Sequence, residues 1–528
     1  MTEPLGTSSN PNYRALLAVA TVVVSLASLT AAKRVVVDEA ASTSRGGSTS
    51  SRADGLLADG TNPADPTADP LSGPGSGRGS VAGGAVSATE TGRRVDGPQV
   101  PGINASNEIV LTYYWKGDRT MTSPYLKGSG HDGNVDEGKA FMGLVKYINS
   151  HDNDGTRFMG HPIKLHGRKI RGVVLEAGQY PDSYAFTAEK IAKEVKPFAA
   201  IAAHGSISSY ICPRLAQAGI FNLSTYDLGG SLSQRTNGYC VPSGLPWERQ
   251  VQASTSYLTW HAANTKYNNT EPRVYGVIYV EYPGLVDSAP KMVERLRAAG
   301  LNVPPRAVRS LASDLATSQQ QAPGVVARMR EEGVNTIIMP DAGAPMNFTH
   351  AAQTNGFSPD YFVWPCSGQD TTAMVRLYNA VQWARASGLT CYDAEFTPDL
   401  TNDDAARNAE WYKAYVEATG DRDVPSAASL VYAALAQAVF GISNAGPNLT
   451  PDTFKAGLGA MQPYRYSATR GRTDNQSSLL LEMGSPDRAF IGDVTRIQWS
   501  ASARNPGSAA PGAYQFPDPR RYSADTRF

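Results

Sequence analysis

Ala199–Leu228 reads AAIAAHGSISSYICPRLAQAGIFNLSTYDL, and its punctuation decides the fold. Ala199–Ala203 is an apolar run of strand length, broken by His204-Gly205-Ser206. Ser208 and Ser209 are N-cap residues for a helix expected over Tyr210–Ala218, with Pro213 early enough for a first turn to tolerate it. Gly219 stops that helix, and Ile220–Thr225 reads as a second strand. Strand, helix and strand in this order make a βαβ unit, whose strands lie parallel with the helix on one face. Ligands of such sheets sit beyond the carboxyl ends of the strands. Two loops meet there: His204–Ser209, rich in hydroxyls at a helix start, and Ser224–Gly230. The free N–H groups of a helix start favour an anion such as a carboxylate. An ordinary crossover whose serines only cap gives the same local pattern. The rest of the chain has to decide.

Working outward, 528 residues leave room for more than one domain and a sizeable core. Basic and acidic residues balance at 48 each, so no overall field draws the chain to nucleic acid. Towards the N-terminus, Ala15–Ala32 is an apolar run between Arg14 and Lys33-Arg34. It reads as an uncleaved membrane anchor or a cleaved export signal, with the anchor favoured. Residues 1–14 are a short tail before it. Residues 33–106 are dominated by Ser, Gly, Ala, Thr, Asp and Pro, a composition that buries too little apolar surface to fold, so a disordered linker is expected.

Folded sequence begins with the strand Glu108–Trp115 and a helix over Glu137–Ser150. His151-Asp152-Asn153-Asp154-Gly155 starts like a calcium loop but lacks the later glutamate, which leaves a polar turn. After Pro242 the alternation restarts. Helix Trp247–Lys266, strand Val274–Val280, helix Ala289–Ala299, a strand around Val308, helix Thr317–Glu332, and strands Val334–Met339 and Tyr361–Trp364 imply a second parallel sheet. Asn402–Thr419 carries an aromatic stripe, Trp411, Tyr412 and Tyr415, assigned to core packing. Ser429–Ser443 is a long apolar helix, and residues 501–528 read as a loose tail.

Several pieces, in order, resemble the type I periplasmic binding proteins, and among them the leucine-binding-like substrate receptors of transporters. Glu137–Asn149 followed by Gly160-His161-Pro162-Ile163-Lys164-Leu165 resembles the family's first helix and Gly-x-x-Ile/Leu strand. His204–Ser209 resembles its Gly-x-x-Ser ligand segment, Gln217–Phe221 its helix-to-strand turn, and Tyr432–Ala445 its late alanine-rich helix. Chain segments 107–500 then form an α/β fold of two lobes, each a parallel sheet flanked by helices. The resemblance implies three crossings, near residues 244, 367 and 480. Lobe 1 takes about 107–243 and 368–479, and lobe 2 about 244–367 and 480–500. The long loop after Trp115, the Glu281-Tyr282-Pro283-Gly284 loop and the missing lipid-attachment cysteine depart from the family pattern.

The resemblance implies an extracytoplasmic solute-binding protein that delivers an amino acid or related polar compound to a membrane permease. A membrane-tethered sensor ectodomain is the alternative. No cofactor, metal or nucleic acid is implied. By position, Ser206, Ser208, Ser209, Ser224 and Thr225 would hold the ligand's carboxylate. Tyr282 and Asp341 are candidates from the second lobe, and Trp115 would stack on an apolar group. Each has a plainer reading: strand-end serines cap, and Asp341 braces its own turn. No G-x-S-x-G, H-E-x-x-H or G-x-x-x-x-G-K supports an enzyme. Of the four cysteines, sequential pairing, Cys212–Cys240 and Cys366–Cys391, closes two local loops without tying moving lobes together. Four buried free thiols are the alternative.

Overall fold

The computed structural model describes residues 100–116, 136–177, 181–202, 205–225, 232–375, 377–391, 407–425, 428–466, 479–481, 490–503, 511–518, 520–523 and 526–528. The apolar segment 15–32 and linker residues 33–99 lie outside them. Residues 100–106, assigned above to the linker, are folded: Ile103 bridges Ile109, and Val110 N–H donates to the Gly102 carbonyl at 2.9 Å.

Apolar strands that alternate with helices have nowhere to hide but between layers. The first sheet has five strands in the order Lys169–Ala177, Glu108–Lys116, Ala199–Ala202, Phe221–Thr225, Cys240–Pro242, all parallel. Residue alternation along Glu108–Lys116 sends Ile109, Leu111 and Tyr113 to one face, into a core shared with helices Glu137–Ser150, Ala428–Ala445 and Pro451–Gly459. Tyr114 points the other way, against Tyr184 of helix Pro181–Lys190 and Ile211 of helix Gly205–Gln217. Ala428–Ala445 is the one helix among the described residues long and apolar enough to cross a membrane, and 78% of it is buried inside the fold. The aromatic stripe packs as expected, with Trp411 and Tyr415 buried and Tyr412 partly so.

In the second sheet the order is Ala513–Gln515, Asp493–Ser500, Ala386–Thr390, Asp360–Val363, Thr336–Met339, Tyr275–Val280, Val308–Leu311. The strands from Ala386–Thr390 to Val308–Leu311 run parallel, and Asp493–Ser500 joins antiparallel. Tyr257, Leu285 and Met292 cover one face, and Val326, Met329 and Phe348 the other.

Two sequence expectations are corrected here. The return to lobe 1 was placed at residue 368, but Ala386–Thr390 pairs with Asp360–Val363, so the chain stays with the second sheet through that strand. Gly388 hid it: a glycine in a five-residue strand weakens the pattern, yet a Cβ there would lie 2.3 Å from the Val363 carbonyl oxygen. The expected loose tail instead supplies Ala513–Gln515 and Arg521–Ser523, both antiparallel to Asp493–Ser500. Edge pairing rests on backbone groups, which small and polar side chains do not prevent. The His151–Gly155 segment is a polar turn in which Asp152 accepts from Leu165 N–H at 2.5 Å and Gly167 N–H at 2.9 Å.

Candidate functional site

Helix Gly205–Gln217 starts five residues earlier than its serines suggested, so Pro213 lies inside it rather than in its first turn. Proline has no N–H, and the carbonyl four residues back, that of Ser209, goes without that donor. Ser206 and Ser209 therefore belong to the helix itself, and their side chains lie outside the described residues, as does His204. Ser208 is fully buried on the same helix.

Ser224 stands near the end of Phe221–Thr225 with φ +57°, a left-handed conformation that costs an L-residue about 1–2 kcal/mol. Its N–H donates to Gln437 Oε1 at 2.7 Å, and Gln437 Nε2 donates to the Pro242 carbonyl at 2.8 Å. One fully buried glutamine thus pins the carboxyl ends of two adjacent strands. The signal was present: Gln437 is the lone amide inside the apolar run Ser429–Ser443. Thr225 ends that strand, with its side chain outside the described residues. Trp115, near the end of its own strand, is buried in the apolar core.

On the second sheet, Asp341 follows strand Thr336–Met339. Its Oδ1 accepts from Gly343 and Ala344 N–H at 2.8 Å each, and its Oδ2 from Val280 N–H at 3.0 Å. The carboxylate therefore starts helix Ala344–Thr354 and ties two strand ends together. Burial raises its pKa, and those three backbone donors oppose the rise. Tyr282 is half-buried beside it. The space between them demands glycine: a Cβ at Gly343 would lie 2.9 Å from the Tyr282 hydroxyl and 3.3 Å from Asp341 Oδ1.

The Tyr282 ring packs against the buried apolar core. Its hydroxyl pKa is pushed up by burial first, then by Asp341, Tyr184 and Tyr210. Tyr184 and Tyr210 pack with ring centroids 5.4 Å apart, and burial pushes the Tyr184 hydroxyl up to about 12. Neither first-lobe tyrosine was singled out from sequence; each sits in a helix flanking the serine loop, where aromatic residues read as core.

A family model described as periplasmic binding protein matches residues 126–482, which span both sheets. The chain belongs to the periplasmic binding protein family. No curated relative matches it. Solved structures resemble it at low identity. A possible leucine/isoleucine/valine-binding protein from Rhodopirellula baltica SH 1 superposes with a TM-score of 0.53 at 11% identity, covering 80% of this chain and 98% of that one. An ABC transporter substrate binding protein from Aeropyrum pernix gives 0.52 at 12%, covering 79% and 96%. A fatty acid ABC transporter substrate-binding protein from Thermomonospora curvata gives 0.50 at 14%, covering 81% and 95%. Ser224, Tyr282 and Asp341 stand at or just beyond the carboxyl ends of strands in the two sheets.

Both disulfides follow the sequential pairing, Cys212–Cys240 and Cys366–Cys391. The first joins helix Gly205–Gln217 to strand Cys240–Pro242 in the first lobe. The second joins the segments that follow strands Asp360–Val363 and Ala386–Thr390, so it too lies within one lobe.

Proposed function

We propose that this chain is an extracytoplasmic solute-binding protein that captures a small carboxylate-bearing ligand, an amino acid or a related compound, and passes it to an ABC-type permease. The observation that carries this reading is the match of the periplasmic binding protein model to residues 126–482, over two sheets of parallel strands flanked by helices. Two lobes joined by short connections can close on a solute held between them. The ligand carboxylate is assigned to the start of helix Gly205–Gln217, whose first N–H groups suit an anion. Tyrosine rings and hydroxyls hold the remainder of the ligand. Two disulfides favour an oxidising compartment, and segment 15–32 holds the domain at the membrane.

The test is a thermal-shift screen of the folded domain against branched-chain and aromatic amino acids, aromatic acids and fatty acids, followed by calorimetry of each hit. One solute that binds stoichiometrically without being turned over supports the reading. Turnover of a bound compound, or no stabilisation by any member of the panel, sinks it.

A further inference from the structure

Three connections join the lobes, and their described parts meet at one node. The first connection passes Gly244, where a Cβ would lie 3.0 Å from Cys366 Sγ and 3.4 Å from Cys391 Sγ. Leu245 N–H points at the same Cys366 sulfur at 3.4 Å. Beyond it, Gln250 donates to the Leu245 carbonyl at 2.7 Å and accepts from Trp364 Nε1 at 2.9 Å, and Trp247 stacks on Trp364. The first connection is therefore laid directly on the Cys366–Cys391 bond. The second leaves the second sheet at Cys391 itself. The third returns at Asp493, a fully buried carboxylate that Arg521 Nε meets at 2.8 Å. Arg521 Nη2 also donates to the Cys391 carbonyl at 2.9 Å, and Arg465 of the first lobe reaches Asp493 Oδ2 at 2.9 Å. Arg249, on the helix after the first connection, donates to the Gly492 carbonyl at 3.2 Å.

Cys366 is held from its own side as well. It takes φ +55°, its N–H donates to Asp370 Oδ2 at 2.9 Å, and Thr390 Oγ1 donates to the same oxygen at 2.9 Å.

We infer that the Cys366–Cys391 disulfide and the buried Arg521–Asp493 pair form the pivot that sets the angle between the lobes, and so position the two halves of the solute site. The inference rests on the solute-binding reading for its purpose, but its geometry concerns only the hinge. The Cys212–Cys240 bond joins helix Gly205–Gln217 to strand Cys240–Pro242 and is assigned no such role. A dithiol reductant would release the pivot: the S–S bond breaks, each sulfur gains an electron and a proton, and the reductant is oxidised to its own disulfide.

The experiment compares the full chain with Cys366→Ser/Cys391→Ser, Cys212→Ser/Cys240→Ser and Arg521→Gln variants, without any solute. Hydrogen exchange of the amides at 244–250 and the radius of gyration from small-angle scattering are the readouts. Loss of the pivot disulfide raises exchange at 244–250 at least about tenfold, a change of about 1.4 kcal/mol in opening, and shifts the radius of gyration. Loss of Cys212–Cys240 lowers the melting temperature and leaves both hinge readouts unchanged. Arg521→Gln, which keeps every cysteine, moves the hinge readouts in the same direction as loss of the pivot disulfide. Equal exchange at 244–250 in both cysteine variants, or no change with Arg521→Gln, overturns the inference. Because no solute is added, failure of the solute screen and failure of the pivot are separate results.

Discussion

Ser224 keeps a left-handed backbone that a serine does not prefer, at the strand end where the solute is proposed to sit. Strain of this kind persists only where neighbours hold it, and here Gln437 does so. Ser224→Gly removes the backbone penalty together with the hydroxyl. Its expected outcome is a urea midpoint equal to or above that of the parent, with the dissociation constant of the identified solute raised about tenfold. Gln437→Leu fills the same volume but leaves Ser224 N–H without its acceptor, a loss of about 1–3 kcal/mol measurable by urea unfolding. Tyr282→Phe keeps the ring and deletes the hydroxyl that lies beside Gly343. It should weaken solute binding while leaving the melting temperature within a degree or two, since the ring that packs against the apolar core is kept.

At the scale of elements, two of the second lobe's buried carboxylates carry opposite lessons. Asp341 is an architectural acid: three backbone donors converge on it. Asp341→Ala leaves them buried and unpaired, and should cost about 2–4 kcal/mol in urea unfolding, with helix Ala344–Thr354 losing exchange protection first. Asp370 sits fully enclosed in the loop after strand Asp360–Val363, and burial pushes its carboxyl up to about 6 against the hydrogen bonds from Thr390 and Cys366. A carboxyl that holds its proton more tightly in the folded state favours folding while protonated. That contribution is present below about pH 4 and is lost as pH rises through about 6, amounting to on the order of 3 kcal/mol. Urea midpoints measured from pH 4 to pH 7 should fall less steeply in Asp370→Asn than in the parent. The difference in slope is the signal, because the amide also changes the absolute stability.

The described residues form two α/β lobes that the chain joins at three places, and the proposed activity is a change in their relative position. If a solute selects the closed arrangement, scattering should report a smaller radius of gyration at saturation, and the Tyr282→Phe variant should need more solute to reach it. Removal of Cys212–Cys240 frees a first-lobe loop spanning 28 residues and should cost about 3 kcal/mol, with closure by solute preserved.

What the sequence determined by itself is local and periodic. The βαβ reading of Ala199–Thr225, the second alternating run after Pro242 and the sequential cysteine pairing all followed from apolar periodicity, glycine stops and short chain separations. Such features are set by neighbours along the chain. What only the tertiary structure decided is where distant segments meet. The strand Ala386–Thr390 was hidden because its glycine is favoured by a close backbone neighbour, not by propensity. The C-terminal strands were hidden because an exposed sheet edge recruits backbone whatever its side chains. Asp341 had two readings, a ligand group or a brace of its own turn, and the three amides on its oxygens came into view only in the fold. Gln437 looked like an interruption in an apolar helix until it reached Ser224, 213 residues earlier. A buried polar group takes its role from its partner, and here the partners lie across the fold, beyond the reach of any sequence window.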